Sequence, residues 1–196
     1  MARTARAERN TAETRIAASL ELDGSGSWSI DSGIPFFDHM LAQLAKHGGL
    51  DLEVKADGDI EVDAHHLVED VGIVLGGLLG EALGAKGGIA RYSSVSIPLD
   101  EALVSVALDL SGRPYLHYQI DTTSMAPLGS PAMDPQLAEE FFRAFVNAAG
   151  ICLHIELVRG KNAHHVLEAS FKAVARAIRA AKVVEGTEVP STKGVL

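Results

Sequence analysis

The chain runs through two hydrophobic periods in the same order twice. Between residues 14 and 22, Ile16, Ala18, Leu20 and Leu22 fall on one face of an extended segment, and residues 3–10 carry a compatible alternation. Gly24-Ser25-Gly26 predicts a turn before a short third strand at Trp28–Ile30. Pro35 opens a helix through Phe36, Phe37, Asp38, His39, Met40 and Leu41 to His47, and Gly48-Gly49 stops it. Leu50, Leu52 and Val54 alternate with Asp51, Glu53 and Lys55, as a half-buried strand does. The period then returns to that of a helix at Val71, Val74, Leu75, Leu78 and Leu79, ending near Leu83.

That helix carries Gly72, Gly76, Gly77 and Gly80. Each costs about 1 kcal/mol relative to alanine inside a helix. The pattern predicts a surface that another helix approaches closely, the alternative being a shorter or bent helix.

The second half repeats the order. Tyr92–Ile97, Ala102–Leu110 and Tyr115–Ile120 read as strands, and residues 122–135, rich in Thr, Ser, Pro and Gly, as the longest irregular connection. Leu137–Ala149 is a helix, Ile151 to Leu157 a strand, and Phe171, Val174, Ala175 and Ile178 mark a last, alanine-rich helix. Each half is therefore β-β-β-α-β-α, and an internal duplication accounts for both. The predicted class is α+β: tandem half-domains at 1–87 and 88–196 forming one compact unit, with the helices packed between two four-stranded sheets. Packing through helices would bring the last helix of each half side by side.

Those two helices open with the same words. Asp63-Ala64-His65-His66-Leu67-Val68-Glu69 returns as Asn162-Ala163-His164-His165-Val166-Leu167-Glu168. Each copy has a capping residue, two histidines in the first turn, and a carboxylate three positions after the second. Adjacent histidines on a helix point roughly 100° apart, so one ion cannot easily take both rings of a pair. His65 with Glu69, and His164 with Glu168, do share a face at i, i+4. The simplest arrangement is two ions, each taking a His/Glu pair from one helix and the odd histidine of the other. Imidazole with carboxylate suits manganese, iron, cobalt or zinc, and no cysteine joins the set, which argues against a structural zinc site. His39 is a further candidate ligand, as are Glu139 and Glu140 ahead of Phe141-Phe142. His47 is either a capping cation or a ligand-facing group, His154 reads as structural, and spacing assigns nothing to His117.

Charge narrows the partners. A formal net charge of −9 disfavours nucleic acid or an acidic membrane surface, while local cations can still bind small anions. Arg91, Arg113, Lys172 and the stretch Pro190-Ser191-Thr192-Lys193-Gly194 offer the guanidinium, ammonium and hydroxyl donors that phosphate takes. The lone Cys152 suits a reducing compartment, and no signal pattern or membrane-length apolar run is present, so the expected location is the cytoplasm.

Phe36–Leu41, Asp63–Asp70, Pro98–Ala102, Leu110–Pro114, Gly160–Lys172 and Pro190–Gly194 together resemble the imidazoleglycerol-phosphate dehydratase family, in that family's order and over nearly the whole chain. The resemblance implies a ribosomal protein S5 domain 2-like fold and a hydro-lyase of histidine biosynthesis that converts D-erythro-imidazole-glycerol 3-phosphate to imidazole-acetol phosphate. It implies two manganese ions per active site. One would be held by His39, His66, His164 and Glu168, the other by His65, Glu69, His165 and position 140. That position is histidine in some members and glutamate here, a departure or a common variant, and a carboxylate can also ligate manganese.

Glu13 matches the family's acid/base glutamate. Arg91, Arg113, Lys172, Ser191, Thr192 and Lys193 fall where the family binds the substrate, together with His39, His47, His65, Glu69 and His164. Similar proteins form a shell of roughly 24 chains with active sites built from more than one subunit. The implied chemistry passes through an imidazolate and a diazafulvene-like intermediate stabilised by the two ions, with Glu13 removing the carbon-bound proton. Two rival readings are a dinuclear-metal phosphatase and a non-catalytic metal-binding oligomer.

Overall fold

The alternation in the first residues becomes a hairpin: β1 (Thr4–Asn10) pairs antiparallel with β2 (Thr14–Glu21). The structure is a computed structural model and describes residues 2–196. β3 (Trp28–Asp31), α1 (Pro35–Gly48), β4 (Asp51–Gly58) and α2 (His65–Leu83) complete the first half. β5 (Tyr92–Leu99), β6 (Ala102–Asp109), β7 (Tyr115–Gln119), α3 (Leu137–Ala149), β8 (Cys152–Arg159) and α4 (Ala163–Ala181) make the second. The sheet orders are β1-β2-β4-β3 and β5-β6-β8-β7. In each, the third strand of the half pairs parallel with the fourth, and the other pairings are antiparallel. The duplicated order of elements thus carries a duplicated topology.

The four helices lie between the sheets. α2 rests on β1, β2 and β4, and α4 on β5, β6 and β8. The inward residues of the strands, Ile16, Ala18, Leu20, Leu52 and Val54 on one side and Val104, Val106, Leu108, Leu153 and Ile155 on the other, join the helices in one apolar core spanning both halves. Phe37, Phe141, Phe142 and Phe171 are fully buried at its centre, with Phe142 and Phe171 at 4.7 Å between ring centroids.

The helices pair across the halves, and here the expectation from sequence is corrected. The two histidine helices do not pack side by side: α2 packs against α3 and α4 against α1. The glycines explain the first pairing. A methyl group at Gly72 would come within 2.7 Å of the Phe141 carbonyl oxygen, and one at Gly76 within 2.3 Å of that of Phe145. At Gly80 the Ala149 carbonyl lies at 3.4 Å, whereas Gly77 faces open space. Close approach therefore accounts for Gly72 and Gly76, and no contact requires Gly77.

The two histidine helices also start differently. α4 is capped as expected, the Asn162 side chain accepting from the amides of His164 and His165. α2 begins only at His65, with Ala64 at the cap position, and Asp63 reaches over to accept from the His65 amide at 2.6 Å.

Candidate metal centre

α1 and α4 bring three donors together. His164 Nε2 stands 2.8 Å from Glu168 Oε2, one turn further along α4, and His39 Nε2 reaches the same oxygen from α1 at 3.3 Å. Among the described residues these three form a group able to hold one ion, with all three donor atoms within 4.8 Å of one another. The pairing of α1 with α4 is what delivers His39. Phe36, on the same turn of α1, meets the His164 ring edge-on at 5.3 Å and fixes its tilt, and Gln43 donates to His39 Nδ1 at 3.3 Å. Burial pushes the Glu168 carboxyl up, but hydrogen bonds from Lys172, His164 and His39 outweigh it and bring it to about 2. The carboxylate is therefore ionised across the neutral range.

The other candidate ligands lie apart. His65 and Glu69 face each other along α2 at 3.8 Å. His66 points instead to Asp59 at the end of β4, its Nδ1 at 3.1 Å from the carboxylate, with Glu13 at 3.8 Å. His165 turns to the β5–β6 connection, its Nδ1 2.7 Å from Glu101. The hydrogen bond from His165 and the amides of Asn162 and Lys161 hold Glu101 down to about 2, and the same carboxylate raises His165. Asp59 raises His66 in the same way. Both odd histidines thus have Nδ1 engaged by a carboxylate, and the Nε2 of His165 has Asp100 at 3.7 Å. Such carboxylate–histidine pairs commonly orient metal-bound imidazoles. Neither His66 nor His165 joins the His39–His164–Glu168 group, and Glu140 stands on α3 beside Arg143 at 4.0 Å. One chain therefore leaves the candidate ligands at separate places, with one group of three and the others apart from it.

The cations divide likewise. Arg91, Arg113, Ser191, Thr192 and Lys193 line one cleft of about 640 Å³. Arg91 has a left-handed backbone (φ 71°) and is nearly buried. Its guanidinium grips Asp109 through Nε at 2.8 Å and Nη2 at 3.2 Å, and Nη1 donates to the Pro190 carbonyl at 2.7 Å. Arg91 accordingly folds the tail onto the second half as well as lining the cleft. Lys172 is elsewhere: its Nζ pairs with Glu168 Oε1 at 2.5 Å, beside the three-donor group. His47, in the last turn of α1, is lowered by burial and then by the charges of Lys172 and Arg176 on α4.

Sequence reasoning missed Asp59 and Glu101, which belong to a strand end and a turn. Glu101 sits inside one of the stretches that carry the family resemblance, but nothing in its spacing shows that it meets His165.

The family model for imidazoleglycerol-phosphate dehydratase matches residues 32–178. Over the full length of both chains the sequence is 54% identical to the enzyme of that name from Moorella thermoacetica. It is also 54% identical to that of Bordetella pertussis, over 99% of this chain and all of the other. The crystal structure of the Staphylococcus aureus enzyme superposes with a TM-score of 0.82 at 39% identity, covering 92% of this chain and 99% of that one. With the duplicated fold and the paired histidine motifs, these matches place the chain in the imidazoleglycerol-phosphate dehydratase family, lyases that dehydrate imidazoleglycerol phosphate in histidine biosynthesis.

Proposed function

We propose that the dehydration is carried out at a two-manganese site assembled between chains. The observation that carries this reading is the split of the ligands. His39, His164 and Glu168 meet at one place while His65, His66 and Glu69 lie on a helix packed elsewhere. The sites would be completed by bringing α2 of one protomer to α1 and α4 of another. His66 would then join His39, His164 and Glu168, and His165 would join His65, Glu69 and Glu140. The nitrogen and carboxylate donors fit a borderline divalent ion, and the deep ionisation of Glu168 suits that role. Bound there, the ions supply Lewis acidity toward the imidazole nitrogens of the substrate.

The chain's own groups do the rest. Glu13, half exposed on the β1–β2 turn beside His66, takes the carbon-bound proton, the adjacent C–O bond breaks, and the proton and hydroxyl are lost together as one water. The resulting enol tautomerises to the ketone. The cleft of Arg113, Ser191, Thr192 and Lys193 receives the phosphate, a group remote from the reacting carbon that fixes the substrate's position. A closed homo-oligomer follows from sites shared in this way. A cytoplasmic setting is proposed on the lone Cys152; among the described residues no helix is long and apolar enough to cross a membrane.

Product analysis tests the reading. Incubation with imidazoleglycerol phosphate should yield the phosphorylated ketone with no free phosphate, and chelation should stop it until manganese is restored. Release of inorganic phosphate would support a phosphatase instead.

A further inference from the structure

The turn that carries Glu13 is fastened to α2 by a buried carboxylate that contacts neither a metal ligand nor a substrate group. Thr11 closes the turn: its amide donates to the Thr14 carbonyl at 2.9 Å, and its Oγ1 accepts from the amides of Glu13 at 3.1 Å and Thr14 at 2.9 Å. Thr14 is buried, and its hydroxyl donates to Asp70 Oδ2 at 2.5 Å. The other oxygen of Asp70 accepts from Arg9 Nε and Nη2, both at 2.9 Å. Arg9 and Thr14 stand on the two strands that flank the turn, so Asp70 ties both to the helix.

Asp70 follows Glu69 directly and lies one turn beyond His65 and His66. It projects into a helix face otherwise made of Leu67, Val71 and Val74. A carboxylate in such a place loses solvation that its partners must restore, and an apolar residue of similar size would seat there without that cost. Its partners here are the two residues that fix where the turn sits. The Glu13 carbonyl also accepts from the Asp59 amide at 3.2 Å, and Asp59 in turn holds His66. The turn is therefore registered against the histidine end of α2 at two points.

The second half shows what happens without this device. The residue after Glu168 is Ala169, fully buried among apolar neighbours. There the glutamate before the second strand, Glu101, is held by its own carboxylate, bonded to His165 and to the amides of residues 161 and 162. Anchorage from beneath exists only on the side where the glutamate is left free.

We propose that Asp70 is a positioning residue, which through Thr14 and Arg9 holds the Glu13 carboxylate in register with His65, His66 and Glu69. This rests on Glu13 being the proton-transfer group. A reacting group displaced by about 1 Å loses on the order of 100-fold in rate. Thr14→Val removes the single hydroxyl and keeps the side-chain volume, so the fold survives it even where Asp70→Ala does not.

Thr14→Val should lower kcat roughly 10- to 100-fold with KM within about twofold, and Thr14→Ser should restore it. Metal content per chain should stay at the wild-type value. In metal-free protein, amide exchange at Glu13 and Thr14 should quicken in Thr14→Val and not in Thr14→Ser. Combined with Glu13→Gln, Thr14→Val should add little to the loss already caused, because both act through one group. Multiplicative losses in that double variant, or a Thr14→Val enzyme that has lost metal, would overturn the inference while leaving Glu13 in its role. A Glu13→Gln enzyme with near-normal turnover would remove Glu13 from the chemistry, and the inference with it.

Discussion

Glu13 and Glu101 occupy the same place in the two halves, each immediately before the second strand, and they are bonded in opposite ways. Glu101 is locked 2.7 Å from His165 Nδ1, whereas Glu13 stands 3.8 Å from His66, whose Nδ1 is taken by Asp59 at 3.1 Å. The duplication thus supplied two carboxylates near two histidines. One is committed to an imidazole, and the other is left free for the proton transfer proposed for it.

Opposite phenotypes should follow. Glu13→Gln should cut kcat by roughly 10²- to 10⁴-fold with little change in KM or bound metal. Glu101→Gln should weaken metal binding by about 10- to 100-fold and recover turnover as manganese is raised. Steady-state kinetics over a manganese titration separates the two.

The acid limb of stability should carry the marks of Glu101 and Glu168. Both carboxyls are held at about 2, below their ordinary 4.5, so each contributes stability fully present above about 4.5 and lost as pH falls toward 2. His165, raised by the same Glu101 pair, contributes in the other direction. Its share is present below the ordinary 6.5 and is lost as pH rises through its elevated value. Urea midpoints of metal-free protein against pH should show both slopes, and Glu101→Gln should flatten both while leaving the Glu168 share of the acid limb.

Two glycines one residue apart should respond with opposite signs. Gly76→Ala places a methyl 2.3 Å from the Phe145 carbonyl oxygen and 2.9 Å from the Ala148 methyl, so it must part α2 from α3. A loss of about 1–3 kcal/mol is expected. Gly77→Ala meets nothing within 4 Å and should gain about 0.5–1 kcal/mol from helix propensity. Chemical denaturation of the two variants reads the difference directly.

Arg91 and Lys193 share a cleft but should fail differently. Lys193→Ala removes a free ammonium and should raise KM for the phosphorylated substrate with kcat largely kept. Arg91→Ala also leaves the half-buried Asp109 without its partner and releases the Pro190 carbonyl, so it should lower thermal stability as well. Melting temperatures beside KM values distinguish the two.

Much of this was legible along the chain because its signals are local. Period-two alternation placed Ile16, Ala18 and Leu20 on an inner strand face, and Gly49 closed α1 in the left-handed conformation the Gly-Gly pair suggested. The face shared by His164 and Glu168 also followed from helix geometry alone. The pairing of helices was not legible. Gly72 and Gly76 announced a close neighbour without naming it, since the choice of α3 over α4 depends on how two sheets close over all four helices. The carboxylates behind His66 and His165 were hidden for the same reason: Asp59 and Glu101 reach them only through tertiary folding. Lys172 looked like one more phosphate cation, although its i, i+4 spacing from Glu168 on α4 already puts the two on one helix face.

Complementation tests the shared site most directly. His66→Ala and His164→Ala damage opposite sides of the proposed interchain centre, and each should be inactive when expressed alone. Co-expressed, they should regain activity: where the His164→Ala chain supplies α2 and the His66→Ala chain supplies α1 and α4, every ligand is present. Random equal mixing would restore about one quarter of the sites of a symmetric oligomer. Mixed assemblies as inactive as either parent would contradict a site built between chains.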